Sequence, residues 1–115
     1  MKLSLRSQEN GVANLQVEGR VSQRNLLSET EPLVEALGED AFGQSVLLDM
    51  SEVAALDSSG VNWLLICQRK MRETGGVLIL HSLSPIAKNV IKVLNLQSVF
   101  KLADDEGQAL AQLNH

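Results

Sequence analysis

Asp57-Ser58-Ser59-Gly60 sets two adjacent hydroxyls between a carboxylate and a glycine, after an apolar run and before a long helical pattern. On the first turn of a helix the backbone N–H groups lack intrahelical partners, so that position favours an anion. Phosphorylation of a hydroxyl there would add about −1.5 to −2 of charge at neutral pH. The helix pole would favour that charge, whereas Asp57 and Asp49 would oppose it. A neutral docking surface would become a charged one with no change of fold. Asp and Ser are also ordinary N-caps, so capping alone accounts for the residue types. Gly60 leaves room for another backbone or a partner to approach closely.

Other reactive side chains form weaker sets. His81 ends an apolar run expected at the same sheet edge as Asp49, and Ser58, His81 and Asp49 can be imagined as a hydrolytic triad. A nucleophile elbow needs a glycine shortly before the serine, and Asp57 stands there instead. Cys67 is the single cysteine, so an internal disulfide and a zinc cluster are excluded; within an apolar helical stretch it reads as a small buried hydrophobe. Gly75-Gly76 follows a helix and precedes a strand, the reverse of a phosphate-cradling loop. No metal set and no cofactor are expected.

Composition limits the function classes. The 115 residues fit one domain, and a 44% hydrophobic content supports a core without disulfides or metal. A net charge of −4, with no basic stripe and few aromatics, argues against sequence-independent nucleic-acid binding. The N-terminus lacks a signal-peptide apolar run and no segment approaches membrane-spanning length, so a cytoplasmic protein off the membrane is expected. Its expected state is a monomer or weak dimer.

The elements that must position Asp57 to Gly60 follow from periodicity. Residues 2–7 and 12–18 alternate around Asn10-Gly11, which predicts an antiparallel hairpin closed by Gly19. Arg20 to Arg24 read as a polar connection. A helix follows to about Leu37, with Gly38 as its C′ residue, and either Ser28 or Thr30 serves as its cap. Val46, Leu47 and Leu48 form a buried strand ending at Asp49, and Met50–Ala55 read as a six-residue loop. A helix then runs from Asp57 or Ser58 as cap to Gly75-Gly76. Val77–Leu80 is a second buried strand. Ser84-Pro85 opens another helix, with Ile86, Val90, Val93 and Leu94 as its apolar stripe and Lys88, Asn89 and Lys92 away from it. A short strand at Val99–Lys101 and a last helix after Asp104-Asp105-Glu106 complete the chain. The order ββαβαβαβα predicts a single α/β domain over 1–115: a mixed sheet, with an N-terminal antiparallel hairpin and parallel central strands, packed with about four helices.

Val46 to Asp49, continuing through Asp57-Ser58-Ser59-Gly60, resembles the signature of STAS domains, in particular bacterial anti-sigma-factor antagonists. The resemblance runs on through Thr74-Gly75-Gly76, Leu83-Ser84-Pro85, Val90, Val93, Leu94, Leu96 and Phe100, and includes the hairpin ending at Gly19; the region 20–32 matches least. It implies a STAS fold and a non-catalytic phosphoswitch. Ser58 would accept phosphate from a serine protein kinase that doubles as the anti-sigma factor, and a serine phosphatase would reset it. The unphosphorylated form would bind the kinase. Asp57 would orient the loop, and Ser59, Gly60, Asn62, Trp63, Ser22 and Arg24 would contribute to partner binding. As a lone Trp on a broad apolar helix, Trp63 reads first as a core residue and second as an anchor for a partner.

One departure concerns the residues after Gly19. The family often carries an acidic residue there, whereas this chain has Arg20-Val21-Ser22 and then Arg24. This loop is expected beside Ser58, where Arg20 or Arg24 would either pair with a phosphate or remain solvated. The alternative function is a constitutive STAS adaptor in a transport or signalling assembly, with Ser58 only a helix cap.

Overall fold

The structure, a computed structural model, describes residues 2–22, 37–38 and 43–113. Within them are β1 (Lys2–Glu9), β2 (Val12–Val21), β3 (Ser45–Leu56), α1 (Ser58–Glu73), β4 (Leu78–His81), α2 (Pro85–Val93), β5 (Lys101–Ala103) and α3 (Glu106–Leu113). The five strands form one sheet in chain order. β1 and β2 are antiparallel, and each later neighbour is parallel to the strand before it. This is the expected mixed sheet, with three helices among the described residues. Leu37 is helical and Gly38 has φ 84°, matching the expected helix end; the rest of that helix lies outside the described residues.

Local chemistry sets the turns. Asn10 and Gly11 both have positive φ, as a two-residue hairpin twisted with its strands requires. Asp57 caps α1 and Ser84 caps α2, with Pro85 at the first helical position.

The sheet is covered unequally on its two faces. Strands β3, β4 and β5 advance in one direction, so right-handed crossovers lay α1 and α2 on the same side. There Leu15, Val17, Leu48, Met50 and Leu80 pack with Trp63, Leu64, Cys67 and Ile91 in the main core. On the other side α3 buries Ala109 against Leu47 and Ile79. The unbroken run Val46-Leu47-Leu48 is thus explained: its side chains alternate between two covered faces.

Several boundaries differ from the sequence expectation. Residues 50–55 are not a loop, since β3 continues to Leu56 and pairs with Glu18 to Val21 of β2. Two register shifts account for the missing alternation. Gln16 to Glu18 spans Asp49 to Glu52, and Gly19 to Arg20 spans Val53 to Ala55, so β3 gains a residue at each place. Met50, Val53 and Leu56 consequently all reach the core at every third position. Gly19 does not close the hairpin but lies within β2, at φ 83°, and Arg20 and Val21 are strand rather than connection. β4 and β5 each sit later than predicted, ending at His81 and Ala103.

The apolar face of α2 is also rotated from expectation. Ala87 and Ile91 face the core, whereas Ile86, Val93 and Leu94 are exposed and Val90 is only half-buried. Ser84 sets that rotation: its N–H donates to the Met50 carbonyl at 3.0 Å and its hydroxyl to the Val53 carbonyl at 2.8 Å. With this cap tied to β3, the stripe Ile86–Val90–Val93 falls to the side of the sheet-facing residues.

Candidate functional site

The extended β2–β3 pair carries the candidate site at its end. β3 passes its last pairing with β4, at Asp49, by seven residues before it stops at Leu56. The parallel partner β2 ends beside it at Val21, and the Asp57 N–H reaches the Val21 carbonyl at 3.4 Å. Asp57 then turns the chain into α1.

Four of the expected site residues are locked together there. The Asp57 carboxylate accepts from the Gly60 N–H at 2.8 Å and from the Ser59 hydroxyl at 2.5 Å. Ser22, buried at the end of β2, places its hydroxyl 3.2 Å from that of Ser59. The Ser59 hydroxyl first, then the Gly60 N–H, hold the Asp57 carboxyl at about 2, below its ordinary 3.8; slight burial works against them. Asp57 is therefore anionic across the physiological range.

Gly60 is buried, and the close backbone approach it permits is internal. A Cβ built there would strike the Val21 carbonyl oxygen, with the Val21 carbonyl carbon 2.7 Å away. The glycine thus serves contact between α1 and β2 rather than approach by an outside group. Trp63 is likewise taken up by the fold: it is 1% exposed within the main core, and its Nε1 has no hydrogen-bond partner among the described residues.

Ser58 differs from its neighbours. It is the first residue of α1, is exposed, and has no side-chain hydrogen bond among the described residues. Asn62 lies one turn further along the same exposed side, and half-buried Leu65 and Ile66 continue it. Ser58 and Asn62 form an accessible surface over the Asp57–Ser59–Ser22 network. Arg20 is exposed on β2, opposite Ala55, and Arg24 lies outside the described residues.

The imagined triad does not assemble. By strand rise, the run from Asp49 to Leu56 separates Asp49 from Ser58 by on the order of 20 Å. Asp49 also belongs to the α3 side of the sheet, where Arg6 donates to it at 2.8 Å and the Ser51 N–H at 2.9 Å. His81 pairs with Asp49 in register and places Nδ1 2.9 Å from the Ser82 hydroxyl. Burial pushes the His81 imidazole below its ordinary 6.5, against the pull of Asp49 and Glu106. Among the described residues no three His, Cys, Asp or Glu side chains gather to hold a metal ion, and no helix is long and apolar enough to cross a membrane.

Sequence reasoning identified the Asp57-Ser58-Ser59-Gly60 cluster but gave no account of how Ser22 joins it. The inward alternation Ala13, Leu15, Val17, Gly19, Val21 was the available signal, since it carries β2 past Gly19 and brings Ser22 to α1.

Comparison with known proteins agrees with this architecture. An anti-sigma factor antagonist from Mycobacterium paratuberculosis superposes with a TM-score of 0.73 at 22% identity, covering 99% of this chain and 94% of that one. The anti-sigma factor antagonist SpoIIAA in its unphosphorylated form gives 0.69 at 18% identity, covering 98% of each chain. The Bacillus cell fate determinant SpoIIAA in its phosphorylated form gives 0.66 at 19% identity, covering 97% of this chain and 99% of that one. At these identities the likeness establishes the fold. The STAS domain profile matches residues 8–109, which include β2 to β5 and the whole of α1. The chain therefore belongs to the STAS domain family.

Proposed function

We propose that this protein is a phosphorylation-controlled binding module of the anti-sigma-factor-antagonist type, without catalysis of its own. The observation that carries the reading is the contrast between two adjacent serines. Ser59 is engaged by Asp57 and Ser22, whereas Ser58 is exposed at the first position of α1. A kinase needs an accessible hydroxyl, so Ser58 is the acceptor and Ser59 a structural part of the cap.

The docking surface is Ser58 and Asn62 with the side of α1 that they begin. Asp57, Ser59, Ser22 and Gly60 hold that surface in place. Before phosphorylation the acceptor is neutral and sits at the positive pole of α1. Afterwards a charge of about −2 lies beside an Asp57 that is already ionised, which repels an acidic partner and makes burial of the surface costly. Arg20 can temper that repulsion only by reaching around from β2. The partner is an anti-sigma factor with serine kinase activity, opposed by a serine phosphatase; the solved relative SpoIIAA, known in phosphorylated and unphosphorylated forms, supports such chemistry on this fold.

The test is incubation with the cognate kinase and ATP, followed by phosphosite mapping by mass spectrometry. Phosphate is expected on Ser58 and absent in Ser58→Ala, which still forms a one-to-one complex with the kinase. Phosphate on Ser59 or elsewhere would overturn the assignment. A Ser58→Asp variant that binds its partner as the wild type does would instead make the protein a constitutive adaptor.

A further inference from the structure

We propose that the cleft between α2 and α3 is a binding site for a small organic monoanion with an apolar body. The cleft has a volume of about 470 Å³ and lies over the carboxyl ends of β4 and β5. That volume falls in the range of small-molecule sites, and strand carboxyl ends are where open α/β sheets place ligands. Its floor is apolar, made by Leu83, Ile91 and Leu102. Lys88 and Lys92 line it from successive turns of α2.

Charge defines the class of ligand. Residues four apart share one helix side, so the two ammonium groups stand next to each other and repel. The ion pair found among the described residues joins Arg6 to Asp49, and no carboxylate pairs with either lysine there. In a chain of net charge −4 this leaves a local positive pair above an apolar floor, which suits an anionic head with a hydrophobic tail. Asp104 lines the same cleft from the end of β5. Two cations against one anion leave a net single positive charge, so the lining favours a monoanion over a phosphate ester or a nucleotide.

This site is separate from Ser58, and its test needs neither kinase nor phosphate. The ¹⁵N-labelled protein is titrated with 3-phenylpropionate and octanoate, with 3-phenylpropan-1-ol as the uncharged control and phenyl phosphate as the dianion. Saturable shifts are expected at Leu83, Lys88, Ile91 and Leu102 with the two acids, and much weaker ones with the alcohol. The exposed double substitution Lys88→Gln/Lys92→Gln should weaken the acids about five- to tenfold, and Lys2→Gln on β1 should not. Asp104→Asn should act in the opposite sense, strengthening phenyl phosphate. Absence of saturable shifts with both acids, equal binding of the alcohol, or indifference to the two lysine substitutions would each overturn the proposal.

Discussion

Gly60 meets the carbonyl of Val21 so closely that no side chain fits between them. The contact joins the first turn of α1 to the end of β2, and both groups are backbone. A methyl at this position cannot be relieved by a rotamer change in a neighbour; α1 or β2 must move. Gly60→Ala is expected to destabilise the protein by about 1–3 kcal/mol, as overpacking does elsewhere. A lower denaturant midpoint with an unchanged slope in urea unfolding checks this. A midpoint equal to the wild type would mean that α1 is not seated on β2 as described.

The Asp57–Ser59 bond has a pH signature. Asp57 titrates at about 2 in the folded chain against its ordinary 3.8, so its contribution to stability is fully present above pH 3.8. That contribution declines as pH falls below 3.8 and is gone below 2. Ser59→Ala removes the leading cause of the depression and should move the Asp57 titration upward, as followed by carboxyl-carbon NMR. Asp57→Ala should cost about 1 kcal/mol at neutral pH through loss of the N-cap. A Ser59→Ala titration that coincides with the wild type would place the depression on the backbone N–H groups and the Ser22 hydroxyl instead.

The elements that follow ordinary periodicity were readable from the chain. The hairpin at Asn10-Gly11, the doubly covered run Val46–Leu48 and the Ser84-Pro85 cap all announce themselves through local chemistry. The second half of β3 did not, because two inserted residues convert its inward positions from every second to every third. Met50, Val53 and Leu56 then mimic no regular element. That misreading shortened β3, which brought Asp49, His81 and Ser58 falsely to one level. The rotation of α2 was illegible for another reason: it depends on hydrogen bonds from Ser84 to Met50 and Val53, which are distant in sequence. Within the candidate site the residue types were legible, but the division of labour between Ser58 and Ser59 required Ser22 to be placed.

His81 gives a second and separate pH window. Its imidazole is buried and held below 6.5, with Asp49, Glu106 and Asp105 pulling it up and Arg6 adding to the depression. The folded state therefore prefers neutral His81. Its stability is fully present above pH 6.5 and erodes as pH falls through 6.5 toward the lower folded value, with a slope of at most about 1.4 kcal/mol per pH unit. His81→Gln should flatten the stability profile between pH 7 and 5 while leaving the acid loss from Asp57 in place. Urea midpoints measured across that range in both proteins decide it; parallel profiles would show that His81 titrates normally.

A negative charge at Ser58 should be felt by the partner and hardly at all by the fold. Ser58 is exposed and forms no side-chain hydrogen bond among the described residues, so Ser58→Asp breaks no contact of its own. The new carboxylate gains about 0.3–1 kcal/mol from the positive pole of α1 and loses a similar amount to repulsion by the ionised Asp57. The two effects oppose, and a net stability change within about 0.5 kcal/mol is expected, as for most surface substitutions. Thermal unfolding measures it. The same variant should bind the anti-sigma-factor kinase at least about tenfold more weakly, which corresponds to roughly 1.4 kcal/mol. Both readings are needed together: weak binding with intact stability assigns the effect to surface charge, whereas weak binding with a large loss of stability would mean that the charge acts by disturbing the start of α1.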